Sequence, residues 1–252
     1  MHDCLHPVVA VIQVRMTSSR LPGKVLKPLA GAPLICRMIE RVQRIVGLDD
    51  VVIALAEGVA NDPVIAALDR MNVSIVRGSE ADVLERSAAA ARAAKAATVM
   101  RITSDCPLLD PSVSGSILAA YAAGHAAGLR YARTSAESGF PHGFDTEVFE
   151  AAALYEADAR ATDPYEREHA TPYIWRRPEL YPAMIVDAKP DRRHWRITVD
   201  TEEDYRLACA IYDALYRPNP AFGYADLCAL FAARPDLLSI NADTQRAHAA
   251  TR

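Results

Sequence analysis

Val8-Val9-Ala10-Val11-Ile12-Gln13-Val14-Arg15-Met16-Thr17-Ser18-Ser19-Arg20-Leu21-Pro22-Gly23-Lys24 is the stretch from which the rest of the chain can be read. Its apolar, β-rich opening reads as a strand buried on both faces, because a half-exposed strand would alternate apolar with polar residues. The residues after Ile12 then carry three cations, three hydroxyls and a Pro-Gly turn. A loop of that kind supplies side-chain and backbone donors to a triphosphate, and a neutral ligand would need none of them. It is not a Walker A loop: Val25 follows Lys24 where a Ser or Thr would hold magnesium, and Ser18 stands where a glycine is required. Nor is it a GxGxxG turn. A metal accompanying the phosphates must therefore be held elsewhere. The competing reading of the same composition is a solvated βα loop whose charges only confer solubility.

The alternation of strand and helix continues downstream. A helix is expected over residues 33–46, a second strand at Val51-Val52-Ile53-Ala54-Leu55, and a helix capped by Asn61-Asp62-Pro63 and running to about Met71. Residues 73–76 make a third strand, residues 82–96 a long Ala/Arg/Lys helix, and residues 98–102 a fourth strand; Asp110-Pro111 opens the next helix. Continuous apolar strands between helices imply an α/β fold with a mostly parallel sheet covered on both faces, which binds ligands at its strand ends. From Leu129 the pattern loosens, with Pro/Gly/aromatic-rich segments at 140–149 and 163–182. Residues 129–190 are expected to form an inserted subdomain or lid within a domain spanning residues 1–240. A last strand at 195–199 should lead into a helix over 201–215, another helix should lie near 225–233, and residues after Asn241 should be a frayed tail.

The bulk numbers narrow the function. Of 252 residues, 51% are hydrophobic and 24% charged, which is the profile of a soluble globular protein. A net charge of −4 provides no global field for nucleic acid or an anionic membrane, so a polyanion must be held by a local cluster. Five scattered cysteines without a CxxC suggest neither a disulfide framework nor a zinc site. Residues 1–7 lack a basic region and a long apolar run, so no signal peptide is expected, and no stretch has the length of a membrane span. The expectation is a cytoplasmic protein.

Magnesium in a nucleotide site takes one or two carboxylates and completes its shell with phosphate oxygens and water. Asp105 lies just past the fourth strand and Asp200 ends the last one, so both emerge on the same rim as the loop from Arg15 to Lys24. Each has a plainer alternative. Asp200 precedes Thr201-Glu202-Glu203 and would serve as a helix N-cap, and Asp105 would serve as a turn residue before Cys106-Pro107. Asp110 is expected to cap the helix at Pro111 rather than to bind metal.

Val11 to Met16 and Arg20 to Leu26 resemble the opening signature of the cytidylyltransferases that make CMP-activated acidic sugars, the CMP-Kdo and CMP-sialate synthetases. The likeness is closer to the SpsF-type proteins of spore-coat polysaccharide biosynthesis. It extends to Gly143–Phe149, Arg167–Tyr173 and Arg196–Thr201, so that ordered motifs spread over most of residues 8–212. Val14 and Thr17 stand where the family usually has Ala and Gly, and Ser104 replaces the glycine of a Gly-Asp-x-Pro segment.

This resemblance implies a Rossmann-like, three-layer αβα nucleotidyltransferase fold with a small dimerisation or lid subdomain, and a homodimer. It also implies Mg2+ on Asp105 and Asp200, and CTP as the nucleotide. Arg15 and Lys24 would contact the triphosphate, with Gln13, Thr17, Ser18, Ser19, Arg20 and Gly23 completing the loop. An oxygen of a small acidic acceptor would attack the α-phosphorus and release pyrophosphate, in surface polysaccharide or glycoconjugate biosynthesis. Candidates for the acceptor side are Arg101, Asp145, Glu147 and His169.

Each of these has an alternative. Asp145 and Glu147 would point the same way from an extended segment and bind hydroxyls or a second metal, or else pair with Arg167 or Arg196. His169 would orient the acceptor or act as a base, or make an ordinary polar contact. Arg101 would bind an acidic group, or pair with Asp105 or Asp110. The aromatics Tyr165, Tyr173, Trp175 and Tyr181 are expected in a core. Two rival functions remain at this point: a GT-A-type glycosyltransferase using a nucleotide sugar, against which the first half offers no Asp-x-Asp, and a nucleotide-binding protein without turnover.

Overall fold

The computed structural model describes residues 3–135 and 137–244. One seven-stranded sheet organises them. Its parallel half consists of β1 (Val8–Val14), β4 (Asp50–Ala56), β5 (Ser74–Gly78) and β6 (Thr98–Thr103). The other half consists of β7 (Tyr131–Arg133), β8 (Glu147–Glu150) and β9 (Ala183–Ile185), with β8 antiparallel to both β6 and β7. Across the sheet the order is β5-β4-β1-β6-β8-β7-β9. The chain thus builds outward from β1 on one side, then returns to place β6 on the other. The crevice at the carboxyl ends of β1 and β6 is the topological switch point where such sheets bind ligands. A small ribbon, β2 (Pro28–Leu29) with β3 (Ala32–Pro33), follows the first loop.

Every residue of β1 is buried because its two faces serve two cores. Ala10, Ile12 and Val14 pack with Ile35 and Ile39 of α1 (Leu34–Val42) and with Ile117 and Tyr121 of α4 (Pro111–His125). Val9 and Val11 pack with Leu84 and Ala88 of α3 (Val83–Ala93) and Leu154 of α5 (Ala151–Arg160). This is the expected three-layer αβα arrangement. The helix α2 (Asp62–Leu68) contributes Val64 and Leu68 to the first core. A third core joins α8 (Glu202–Leu215) and α9 (Tyr224–Ala233) to Leu21, Leu34, Phe144, Trp195 and Val199. No described helix is long and apolar enough to cross a membrane.

The stretch 129–190 supplies the reversed half of this same sheet. Its helices α5 and α6 (Pro164–His169) pack on α3, and α7 (Pro172–Trp175) packs on both. Strands of three or four residues show no legible period, which is why the pattern loosens there in the sequence. The strand expected at 195–199 is corrected. This segment is extended but divides its hydrogen bonds between two loops, so it joins no ladder. His142 N donates to Trp195 O at 3.0 Å, Ile197 N to His142 O at 2.8 Å, and Val199 N to Asp105 O at 2.7 Å. Asn241, where the expected tail begins, is buried, and its amide donates to Arg196 O at 2.9 Å and Asp204 Oδ1 at 2.8 Å. Residues 242–244 are helical, and the remainder of the expected tail lies outside the described residues.

The close approach of these segments depends on Gly143. Its φ is +117°, and an added Cβ would stand 2.7 Å from Thr198 N and 2.9 Å from the Ile197 carbonyl carbon. Gly143→Ala should therefore destabilise the protein by about 2 kcal/mol or more, read from the midpoint of a urea unfolding curve. An unchanged midpoint would contradict this packing.

Candidate active site

The loop after β1 is shaped by its own backbone. Met16 O accepts from Ser18 N at 3.0 Å and from Gly23 N at 2.9 Å, closing the turn, and Gly23 adopts the left-handed φ of +69° that the closure requires. Met16 N donates to the side chain of fully buried Asn61 at 2.8 Å, which anchors the loop to the start of α2. Thr17 donates to Glu80, and the Ser18 hydroxyl accepts from Leu21 N at 3.3 Å. Among the described residues, the backbone amides of Thr17, Ser19 and Arg20 have no protein acceptor. Arg15 is exposed and has no carboxylate within ion-pair distance among those residues. The loop thus presents unpaired donors and positive charge on one side.

Its last residue behaves differently. Lys24 is buried, and its ammonium donates to Val199 O at 2.8 Å and Asp200 Oδ1 at 2.9 Å, with Asp105 Oδ2 at 3.4 Å. Burial alone would lower its pKa, but the charges of Asp105 and Asp200 more than offset that and hold it above 10.5. Burial pushes Asp200 the opposite way, yet Lys24, Arg20 and Arg196 bring it down to about 2. Arg20 reaches Asp200 Oδ2 at 3.0 Å and the buried Arg196 reaches it at 2.9 Å.

The other side of Arg196 is equally occupied. Its guanidinium contacts Asp204 at 2.9 Å and 3.0 Å and His142 Nδ1 at 3.0 Å. Because a guanidinium has no lone pair to offer, His142 Nδ1 accepts and the ring proton is on Nε2, the atom 3.8 Å from Asp145. The N-cap of α8 is Thr201, in a capping box with Asp204, so Asp200 is not the cap and its carboxylate is turned to the cations. Asp110 caps α4 as expected, accepting from Val113 N at 2.9 Å.

Arg20, Lys24, Asp105 and Asp200 border a cleft of about 310 Å³, also lined by Arg15, Arg86, Arg101 and His169. Through Arg101, Thr103 and Asp105 it adjoins a second cavity of about 570 Å³, to which Arg133, His142, Asp145, Glu147 and Trp175 contribute. The cleft at the sheet's switch point thus has a cation-rich loop on one wall and two aspartates at its base, an arrangement that can accept an anionic group.

Residues 9–215 match the sequence profile of the family described as Cytidylyltransferase. The chain belongs to that family. Spore coat polysaccharide biosynthesis protein SpsF of Bacillus subtilis is 30% identical to this cytidylyltransferase over 240 residues, covering 92% of this chain and 97% of SpsF. A cytidylyltransferase structure from Leptospira borgpetersenii superposes with a TM-score of 0.86 at 28% identity, covering 92% of this chain and 96% of that one. The structure of CMP:2-keto-3-deoxy-manno-octonic acid synthetase complexed with CTP shares the fold, with a TM-score of 0.60 at 17% identity over 82% of this chain and 99% of that one. The expected family and αβα fold are both borne out.

Several expected contacts of the cytidylyltransferase are redistributed. Arg101 and Glu147 face each other across β6 and β8, and their side chains meet at 2.6 Å. Arg101 also donates to Gln13 Oε1 at 3.0 Å, and the Gln13 amide donates to Ser87 at 2.9 Å. Glu147 further accepts from Tyr131 and, at 3.0 Å, from Thr171. Burial would raise the Glu147 pKa, but the Arg101 charge and these donors hold it below 4.5.

Arg101 and Glu147, expected on the acceptor side, thus form a mutually neutralised pair that also lines the second cavity, with Gln13 committed to the same network. Neither expected alternative partner is used. Arg167 pairs with Asp82 and Asp158, Arg196 with Asp200 and Asp204, and Arg101 with neither Asp105 nor Asp110. Asp145 precedes β8 and accepts from Gly143 N at 2.9 Å. His169 ends α6 with its ring against Tyr165, 4.3 Å between centroids. Its pKa is lowered by burial and by the charges of Arg101, Arg15 and Arg176, with Glu168 opposing.

Tyr173 and Tyr181 are core residues as expected, whereas Trp175 lines the second cavity and Tyr165 is exposed. Sequence reading missed Arg86, Arg133 and His142. Arg86 is fully buried at the cleft, donating to the carbonyls of Ala54 and Ser79. Its signal was available: it falls on the apolar stripe of α3, three residues after Val83 and four before Ala90.

Glu147→Gln would leave the Arg101 guanidinium buried without its counter-charge, at a cost of about 3–5 kcal/mol. Because the folded pKa lies below 4.5, this stabilisation is complete above that value and is lost as pH falls through the folded one. Urea unfolding should thus show a large gap between wild type and variant at neutral pH that narrows on acidification. A gap that widens on acidification, or no gap at neutral pH, would contradict the assignment.

Proposed function

We propose that this cytidylyltransferase transfers CMP from CTP to a small acidic sugar with release of pyrophosphate, in surface polysaccharide or glycoconjugate biosynthesis. The observation carrying the reading is the convergence of Lys24, Asp105 and Asp200 beneath the donor-rich loop at the switch point. Arg15, Arg20 and the loop amides are placed to hold the β- and γ-phosphates and to stabilise the charge on the departing pyrophosphate. Lys24 fixes the two carboxylates and brings a positive charge to the same place. An oxygen of the acceptor, lying in the adjoining cavity, forms the new bond to the α-phosphorus as the bond to the pyrophosphate oxygen breaks. Positioning and electrostatics supply the rate, and no nucleophilic side chain is required.

The donor set fits a divalent metal, for which we assign Mg2+. Among the described residues no group of three or more acidic, His or Cys side chains forms a metal cage. Two carboxylates from separate segments instead meet on one cation, which is the pattern for an ion completed by phosphate oxygens and water. Asp105 and Asp200 would hold it, and it would neutralise phosphate charge when bound. Among solved relatives of this fold, a Mycobacterium tuberculosis protein is a complex with manganese. A homodimer is supported by the sheet edge at β9, whose residues are all exposed and include Met184 and Ile185, with exposed Leu180 close by in sequence.

The test is a pyrophosphate-release screen of the four nucleoside triphosphates against acidic sugars and phosphonates. Release is expected with CTP and Mg2+, and Asp105→Ala should lower it by about 100-fold or more. Preference for another triphosphate would overturn the base assignment, and full activity of the variant would overturn the metal assignment.

A further inference from the structure

The cavity beside the nucleotide cleft contains two cations among its described lining residues, Arg101 and Arg133. Arg101 is committed to Glu147 and Gln13. Arg133 is not. It ends β7 half-buried, and among the described residues its guanidinium has neither a carboxylate within ion-pair distance nor a hydrogen-bond acceptor. What holds it are aromatic faces, Trp175 at 5.6 Å and Tyr131 at 5.9 Å from their ring centroids. A cation-π contact orients a guanidinium while leaving its charge and its five N–H donors unneutralised. A cation kept this way in a partly desolvated cavity is prepared for an anion. The nucleotide's phosphates have their own cations in Arg15, Arg20 and Lys24 across Asp105, so this anion belongs to the second substrate.

The remaining lining is suited to hydroxyls. His142 carries its proton on Nε2 because Arg196 donates to Nδ1, and Asp145 beside it offers a carboxylate. We propose that Arg133 anchors the acid group of the acceptor, with His142 and Asp145 binding its hydroxyls, so that the second substrate is an acidic polyol of sugar size. The inference rests on the acidic-acceptor reading and moves the acid-binding role from Arg101 to Arg133.

The closing experiment reads binding without turnover. Protein carrying 15N-labelled arginine is titrated separately with pyruvate and with methylphosphonate, and the Arg133 Nε–H resonance, assigned by its absence in R133K, is followed. A saturable shift with one or both acids is expected, and which acid acts distinguishes a carboxylate from a phosphonate substrate. No saturable shift with either would overturn the proposal. In kinetics with any acceptor identified, Arg133→Met should raise the acceptor KM about 10- to 100-fold while CTP affinity changes less than about twofold. Loss of CTP affinity in a variant whose thermal midpoint is unchanged, or an unaltered acceptor KM, would also overturn it. Absence of pyrophosphate release with every acceptor would instead sink the CMP-transfer reading and leave the Arg133 titration interpretable.

Discussion

The ammonium of Lys24 joins three segments that lie far apart in the sequence: the loop after β1, the loop after β6, and the residues leading into α8. Burying a lysine is unfavourable unless its charge is matched, and here two carboxylates and a carbonyl match it. Those carboxylates would in turn repel each other without the cation between them. Arg20 and Arg196 complete the balance at Asp200, while Asp204 and Asn241 fix Arg196 from behind. The base of the cleft is thereby close to neutral, and the excess positive charge lies on the wall where Arg15 and Arg86 stand.

The sheet decides where this knot falls. β1 is buried because helices cover both of its faces while β4 and β6 flank its edges, and the reversal between β4 and β6 opens the crevice into which both loops project. The antiparallel entry of β8 next to β6 then sets Glu147 opposite Arg101 and separates the nucleotide cleft from the cavity beyond it. One change of strand direction thus sets this pair at the boundary between the two cavities.

The legible parts of this arrangement were those that repeat or cluster locally. The buried strands β1, β4 and β6 show as unbroken apolar runs, and the phosphate loop shows as charge concentrated in a few residues. Asp105 and Asp200 could be placed on one rim because each follows an extended segment, although only the capping box of Thr201 and Asp204 showed that Asp200 was not needed as a cap. The Arg101–Glu147 pair was not legible, since it depends on a cross-strand register between residues 46 positions apart. Arg133 and His142 were missed for a related reason. A three-residue strand and a glycine-dependent loop carry no periodic signal, and their roles arise from what stands, or does not stand, beside them in space.

In the function proposed above, Asp105 and Asp200 exchange a purely internal cation pairing for a shared role in holding metal and nucleotide. Calorimetric titration of CTP into the wild-type protein and Asp200→Asn, each with Mg2+ and with EDTA, tests this most directly. Wild type should bind CTP much more tightly with Mg2+ than with EDTA, and the variant should lose that difference. Equal affinity of the wild type in the two conditions, or a metal dependence that persists in Asp200→Asn, would contradict it.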